Sequence, residues 1–277
     1  MNITCKGKNI DLSIPKVMGI LNITPDSFFD GGKYDSDKAI IKQTKKMLKQ
    51  GATFIDIGAY SSRPNAKHIS EKEELERILP IIKLLVNKFP DILISIDTFR
   101  SEVAKQSLEA GACIINDISG GNYDKEMFNV IAKYQVPYIL MHMKGLPQNM
   151  QDNPEYNNVV QEIKDFFTLK TNQLKKLNVK DIILDVGFGF GKTIDHNYTI
   201  LNKLDSFNTL DYPILAGISR KSMLYKVLKS KPSKMKNATS IANTIALLNG
   251  AKILRVHDVK EAAQCVIITC QVLGCKQ

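Results

Sequence analysis

The sequence contains no long apolar run. No window of about 18 or more residues is apolar throughout, which excludes a membrane-spanning helix. The first residues, MNITCKGKNIDLS, also lack the apolar core of a secretory signal peptide. We therefore expect no membrane partner and a cytoplasmic location.

Cysteine pairs at metal-binding or redox spacing are absent as well. The five cysteines are odd in number and form no CxxC motif, which argues against a disulfide framework or a structural metal site. Cys113 and Cys265 lie in apolar runs and are predicted to be buried free thiols. This usage indicates a reducing compartment.

Arginine is scarce, because only five of the 38 Lys and Arg residues are arginine. The lysines are spread along predicted helices without a nucleic-acid-binding motif, so we predict no nucleic-acid partner despite the net charge of +10. Their densest patch, residues 226–236, is predicted to be a loop. Arginine offers a planar, forked donor that lysine does not. Four arginines fall at or just past predicted strand ends, which points to an anion: Arg63, Arg100, Arg220 and Arg255.

Eight short, β-branched apolar runs recur along the whole chain. They are continuous rather than alternating, which is typical of parallel strands buried on both faces. They cover residues 16–24, 54–59, 92–98, 113–119, 137–143, 181–187, 213–219 and 253–258. Helical segments are predicted between and after them, at 36–50, 71–88, 101–110, 124–134, 156–177, 196–205, 237–250 and 259–273.

This alternation predicts a (β/α)8 TIM barrel. No linker interrupts it, so we expect a single domain over residues 1–277. The residues around Gly7 predict a short N-terminal β-hairpin that caps the barrel bottom. A doubly wound open sheet is the alternative architecture.

Polar side chains stand at nearly every predicted strand end, where barrels carry their function. In chain order the residues at the strand ends are Asn22, Asp56, Asp97, Asn116, Met141 or His142, Asp185, Ser219 with Arg220 and Lys221, then Arg255 and His257. The acceptors and amides among them suit a flat heterocycle rich in N–H groups. The cations suit a phosphate-like anion, and the oxygen of Asn22 suits Mg²⁺.

Two strand–helix connections, residues 22–36 and 58–70, are longer than usual and are predicted to be lids. Phe28 could cover an apolar substrate there, and Asp30 could reach a metal or a cation. GFGFGKT (187–193) lacks the phosphate-loop spacing. Its glycines are instead predicted to let the backbone approach a ligand beside Asp185, with Phe190 as an apolar wall.

The strand-end motifs resemble those of the dihydropteroate synthases. The matching segments run in the same order from about residue 16 to 260, and they are GILNITPDSFFDGG, DIGAYSSRP, SIDT, INDISGG, DVGFGFGK, GISRKS and RVHDV. The resemblance implies a transferase of folate biosynthesis. Such an enzyme condenses 6-hydroxymethyl-7,8-dihydropterin diphosphate with 4-aminobenzoate, giving 7,8-dihydropteroate and diphosphate. It further implies use of Mg²⁺, inhibition by sulfonamides and a homodimer.

The resemblance also implies roles for individual residues. The pterin would be held by Asp97, Asn116, Met141, Asp185 and Lys221. The magnesium diphosphate would be held by Asn22 as the metal ligand, with Arg63, Arg255 and His257. The 4-aminobenzoate pocket would be formed by Phe28, Ser62, Pro64, Phe190, Lys221 and Ser222. The catalytic residues would be Asp97, which stabilises positive charge, Lys221, and Asp30 and Arg63 acting from the closed lids.

Three other functions remain open from the sequence. A methyltetrahydrofolate methyltransferase would share Asp97, Asn116 and Asp185, but it would not need the cations or the long first connection. A Schiff-base aldolase would use Lys221 as its nucleophile. A non-catalytic pterin or folate carrier would have no reason to keep groups for magnesium and diphosphate.

Overall fold

The computed structural model describes residues 1–23, 36–60, 69–145, 150 and 153–275. An antiparallel pair, β1 (Asn2–Cys5) and β2 (Lys8–Asp11), begins the chain. Eight parallel strands follow it. They are β3 (Lys16–Asn22), β4 (Phe54–Gly58), β5 (Leu93–Asp97), β6 (Ile114–Asp117), β7 (Tyr138–Met141), β8 (Ile182–Asp185), β9 (Ile214–Ala216) and β10 (Ala251–Val256).

The eight strands form a closed barrel in chain order, with β10 paired to β3. The closing register sets Ile253 opposite Lys16 and Val256 opposite Gly19. This closure confirms the barrel and rules out the open sheet. None of the helices in the described part of the chain is both long and apolar enough to cross a membrane.

Each barrel strand is followed by at least one helix. Within the described ranges the α-helices are α1 (Ser36–Lys49), α2 (Glu71–Lys88), α3 (Ser101–Glu109), α4 (Met127–Tyr134), α5 (Val159–Lys176), α6 (Ile194–Asn202), α7 (Ser222–Val227), α8 (Lys236–Leu248) and α9 (Val259–Leu273). The strands are mostly apolar because one face lines the barrel and the other packs on these helices, and every residue of β4 is buried.

The N-terminal hairpin covers the barrel bottom, as predicted. Ile3, Cys5 and Leu12 pack on barrel residues at or near the beginnings of the strands. The backbone N–H of Thr4 donates to Asp181 Oδ2 at 3.0 Å, just before β8 begins. Lys6 Nζ donates to a carbonyl just before β5, at 3.1 Å. The functional groups are therefore left to the opposite rim.

The predicted loop at residues 226–236 is wrong in part. Helix α7 extends into it, a 3₁₀ turn spans Pro232–Lys234, and α8 already begins at Lys236. The six residues of α7 and three of the turn are too few to carry a helical period. The buried free thiols predicted at Cys113 and Cys265 are confirmed.

Candidate active site

Arg255 lies at the centre of an ionic network in the barrel mouth. From β10, its Nε donates to Asp56 Oδ2 and its Nη2 to Asp97 Oδ2, both at 2.6 Å. Asp56 also accepts from Ser95 Oγ at 2.6 Å and from Asn116 Nδ2 at 3.2 Å. Four barrel strands, β10 with β4, β5 and β6, thus meet through one guanidinium and two carboxylates.

This network perturbs the charges within it. Burial raises the pKa of Asp97 to about 7, against the opposing attraction of Arg255. Burial by itself would lower the pKa of Arg255, but the Asp56 and Asp97 carboxylates raise it above its ordinary value. Arg255 therefore stays cationic, whereas Asp97 is held near its point of ionisation at neutral pH.

Asp185 and Asn116 supply buried acceptors on the same rim. Asp185 ends β8, and its Oδ1 accepts the backbone N–H of Gly187 at 2.8 Å. Burial raises the pKa of Asp185, while the Lys221 charge is the strongest influence that lowers it. The Oδ1 atom of Asn116 is buried without a hydrogen-bond partner among the described residues. An unpaired buried acceptor is costly unless a ligand satisfies it.

Lys221 lies over the segment that follows β8. Its Nζ donates to the carbonyl of Phe188 and lies 4.4 Å from the centroid of the Phe190 ring. Burial lowers the pKa of Lys221 from 10.5 to about 8, although Asp185 opposes the change. Ser222 follows as the first residue of α7. The arrangement joins a cation, an aromatic ring and a carboxylate.

The hydroxyl of Ser219 fixes the imidazole of His257. Ser219 Oγ accepts the backbone N–H of His257 at 3.2 Å and lies 3.0 Å from its Nδ1. In the described part of the chain, Nδ1 is the acceptor within reach of the buried Ser219 O–H. When the Ser219 O–H donates to Nδ1, the neutral ring carries its proton on Nε2.

Besides Arg255, two more of the arginines predicted to mark an anion bind carboxylates of the chain itself. Arg220 forms a forked pair with Asp258, with N···O distances of 3.0 and 2.7 Å. Arg100 pairs with the buried Glu74 and donates to the carbonyl of Ile69. Glu74 lies on α2 and Asp258 immediately precedes α9, so each of these arginines joins a strand end to a helix, and its position alone does not mark an anion site.

Met141 and Asn22 also lie at strand ends. Met141 ends β7 and packs with Phe99, Ile118 and Met143. Asn22 ends β3, is half-buried, and its side chain makes no hydrogen bond within the described ranges. Among the described residues, no group of three or more His, Cys, Asp or Glu side chains is placed so that it could hold a metal ion.

Five predicted site residues lie outside the described residues: Phe28, Asp30, Ser62, Arg63 and Pro64. Both predicted lids fall largely there as well. The structure brings together Asp97, Asn116, Asp185, Lys221 and Arg255 on one rim, with His257 just past the end of β10.

No role was predicted for Asp56 or Ser219. Both were noted as polar strand-end residues, yet their partners come from distant segments. Asp56 binds Arg255 across 199 residues, and Ser219 binds His257 across 38. A carboxylate inside the otherwise apolar FIDIG strand was the available signal for Asp56.

The glycines of GFGFG also differ from the prediction. A Cβ on Gly187 would lie 2.0 Å from the carbonyl oxygen of His142, and one on Gly191 would lie 2.2 Å from that of Lys144. These two glycines therefore let two strand-end segments pack backbone to backbone. A Cβ on Gly189 would instead face the Lys221 side chain, at 3.2 Å.

Comparison with known proteins identifies the family. Residues 18–257 match the model of the pterin binding enzymes. The dihydropteroate synthase of Haemophilus influenzae is 45% identical over 263 residues, which cover 94% of each chain.

Solved structures agree with this match. A Yersinia pestis dihydropteroate synthase in a sulfonamide drug complex has a TM-score of 0.93 and 39% identity, with 99% of this chain and 100% of that one covered. A Xanthomonas albilineans dihydropteroate synthase with 4-aminobenzoic acid has a TM-score of 0.91 and 33% identity, with 100% and 99% covered. The chain therefore belongs to the dihydropteroate synthases, the transferases of folate biosynthesis among the pterin binding enzymes.

Proposed function

We propose that the barrel mouth binds 6-hydroxymethyl-7,8-dihydropterin diphosphate and 4-aminobenzoate and joins them as 7,8-dihydropteroate. The observation that carries the proposal is the network of Arg255 with Asp56 and Asp97, since it combines acceptors for a heterocycle with a fixed cation. The 4-aminobenzoic acid and the sulfonamide of the two related structures support an arylamine site in this chain as well.

The pterin would lie against Asp185 and Asn116. A carboxylate accepts two parallel N–H bonds from an amino-pyrimidinone edge, as it does from a guanidinium. The unpartnered Oδ1 of Asn116 offers a further acceptor for a ring N–H. Met141, beside Phe99 and Ile118, would supply an apolar contact to the ring.

The diphosphate would lie beside Arg255 and His257. Two nitrogens of Arg255 are held by carboxylates, while Nη1 donates to no acceptor among the described residues. That nitrogen can bind a phosphate oxygen without releasing the other two bonds. The Nε2–H of His257 would be a second donor. Arg63 is proposed as a third donor to the diphosphate, and Asp30 as an acidic residue that acts with it from the closed lids. Both proposals rest on the sequence alone.

Asn22 fits a magnesium ion carried by the diphosphate. Mg²⁺ uses one or two protein oxygens and completes its shell with water and phosphate. The amide of Asn22 offers such an oxygen without losing a bond to the described residues. When bound, Mg²⁺ would neutralise charge on the departing diphosphate.

The reaction needs no protein nucleophile. The bond between the pterin methylene carbon and the diphosphate oxygen breaks, and its electron pair leaves with the diphosphate. The resulting cation is conjugated with the pterin ring, and the ionised carboxylate of Asp97 stabilises it. The arylamine nitrogen then bonds to the methylene carbon and loses a proton to solvent.

The arylamine pocket would include Phe190, Lys221 and Ser222. The Phe190 ring under the Lys221 ammonium supports an aromatic acid there, with its ring on Phe190 and its carboxylate near the cation. Phe28, Ser62 and Pro64 are proposed to complete this pocket from the two lids, on sequence grounds alone. Closure of the lids would exclude competing water.

The test mixes the protein with the pterin diphosphate, Mg²⁺ and 4-aminobenzoate, and measures diphosphate release together with dihydropteroate by mass. We expect coupled release that stops on chelation of Mg²⁺ and resumes on its return. A sulfonamide should raise the KM for 4-aminobenzoate without lowering the maximal rate.

An Arg255→Lys variant locates the reaction in the mouth. It should lower turnover about 100-fold, since a lysine cannot bind two carboxylates and a phosphate at once. Arg77→Lys is the matched control, because Arg77 pairs only with Glu73 on α2 within the described ranges. Equal turnover of the two variants would exclude Arg255 from the site.

We further propose a homodimer formed through α8 and α9. These two helices pack on each other and expose apolar side chains. Ile241, Ile245 and Leu248 of α8 are 40–57% exposed, and Ile268 and Val272 of α9 are 63–71% exposed. A two-fold axis would cover this face with its own copy. Sedimentation should give a dimer that Ile268→Glu converts to a monomer; a wild-type monomer would refute the proposal.

Two broader expectations stay proposals. We propose that residues 1–277 form one domain, supported by a family match that spans residues 18–257 and by barrel strands from Lys16 to Val256. A cytoplasmic location stays a prediction from the sequence.

A further inference from the structure

The lysine of the GFGFGKT segment has no place in the proposed reaction, yet it is deeply buried. Lys192 is 3% exposed, and it forms no ion pair with a carboxylate within the described residues. Burial of an amine without an acidic partner is unfavourable, so its other contacts must hold it there.

Those contacts join two strand-end segments. Lys192 Nζ donates to the carbonyls of Gly187 and Phe190, each at 3.0 Å, in the segment after β8. It also lies 3.1 Å from Nδ1 and 3.3 Å from the carbonyl oxygen of His142, in the segment after β7. An ammonium has three N–H groups and a neutral amine has two. Lys192 can therefore donate to the carbonyls of both Gly187 and Phe190 in either protonation state.

The segment that Lys192 holds carries the binding groups. The Gly187 peptide donates to Asp185, and the Phe188 carbonyl accepts from Lys221. Phe190 lies under the Lys221 ammonium. A shift of this segment would therefore move an acceptor, a cation and an aromatic wall together.

We propose that Lys192 is a positioning residue of the substrate pocket. It fixes residues 187–190 against His142 and thereby determines where the Phe190 ring lies as a wall of the pocket. It touches neither substrate. The inference rests on the proposed function, in which Phe190 lines the arylamine pocket.

A double-mutant cycle tests the proposal. Lys192→Met should raise the KM for 4-aminobenzoate about 10- to 100-fold, the effect of a wall displaced by about 1 Å, with kcat within about threefold of wild type. Phe190→Ala should raise the same KM. Both substitutions act on the same wall of the pocket. The KM of the double variant should therefore be about as high as that of the worse single variant, and the two fold-increases should not multiply.

A buried lysine elsewhere provides the control. Lys170 of α5 is 9% exposed and contacts the rings of Phe128 and Phe166. Lys170→Met should leave the KM for 4-aminobenzoate near wild type. If Lys192→Met does not fold, Lys192→Gln replaces it in the cycle; its amide is on a shorter side chain that cannot reach both carbonyls as Nζ does, so the KM for 4-aminobenzoate should rise in the same direction.

The outcomes separate the two proposals. If Phe190→Ala leaves the KM unchanged, the arylamine pocket itself is misplaced. If Phe190→Ala raises the KM but the lysine variant leaves it unchanged, or if the two effects multiply, Lys192 does not act through the wall and the inference is overturned.

Discussion

Removal of the Asp56 carboxylate is the sharpest test of the network in the barrel mouth. Asp56 is fully buried and accepts from Ser95, Asn116 and Arg255. Asp56→Ala would leave two neutral donors unpaired and Arg255 with Asp97 as its remaining carboxylate. Breaking a buried ion pair from one side costs about 3–5 kcal/mol, and we expect a loss of unfolding free energy in that range.

Asp56→Asn is the matched variant. Its amide oxygen can still accept from Arg255, while its NH₂ group can donate to Ser95 Oγ. The hydrogen bonds would largely survive and the charge would be lost, so we expect about half the cost of Asp56→Ala. The alanine variant should also lower turnover more than the asparagine variant, since Arg255 is then held on one side only.

Urea unfolding followed by circular dichroism measures both variants. The midpoint should fall in the order wild type, Asp56→Asn, Asp56→Ala, with an unchanged slope. A loss below about 1 kcal/mol for Asp56→Ala would refute the reasoning, since that is the average cost of a point substitution anywhere in a protein.

Two further predictions concern the same rim. The pKa of Lys221 falls from 10.5 to about 8 on folding, so the folded state binds fewer protons between those values and stability rises with pH across that window. Lys221→Met should therefore be about 1–2 kcal/mol more stable than wild type at pH 7, after allowance for partial exposure of the side chain. This difference in stability should narrow between about pH 8 and 10. Urea unfolding at several pH values measures it, and a difference that does not change with pH would contradict the prediction. Ser219→Ala should lower kcat about tenfold with little change in the KM for 4-aminobenzoate, because the His257 ring loses the hydrogen bond that fixes its tautomer; steady-state kinetics would contradict this if kcat were unchanged.

The sequence was sufficient for the barrel because a parallel sheet has a simple signature. Helices α2 (Glu71–Lys88) and α9 (Val259–Leu273) begin and end where predicted. The predicted strand at 213–219 ends at Ala216 instead, because Gly217 and Ile218 stay buried and apolar beyond the last ladder residue. Apolar composition therefore locates a strand better than it locates its end.

The site was harder to predict than the fold. The strand ends gave the candidates, but side-chain partners depend on distances that no local pattern contains. Arg220 and Arg255 look alike in the sequence, yet one anchors Asp258 and the other joins Asp56 to Asp97. Lys192 looked like part of a failed phosphate motif, whereas its contacts are with the backbone and His142.

The ion pairs of Arg255 have a consequence for synthesis on the ribosome. Asp56 and Asp97 emerge long before Arg255, which follows them by 199 and 158 residues. The two carboxylates can therefore form their ion pairs with Arg255 only after β10 has left the exit tunnel. A nascent chain lacking β10 has neither a closed barrel nor a complete mouth, so the ability to capture a pterin diphosphate arises only after β10 has been translated.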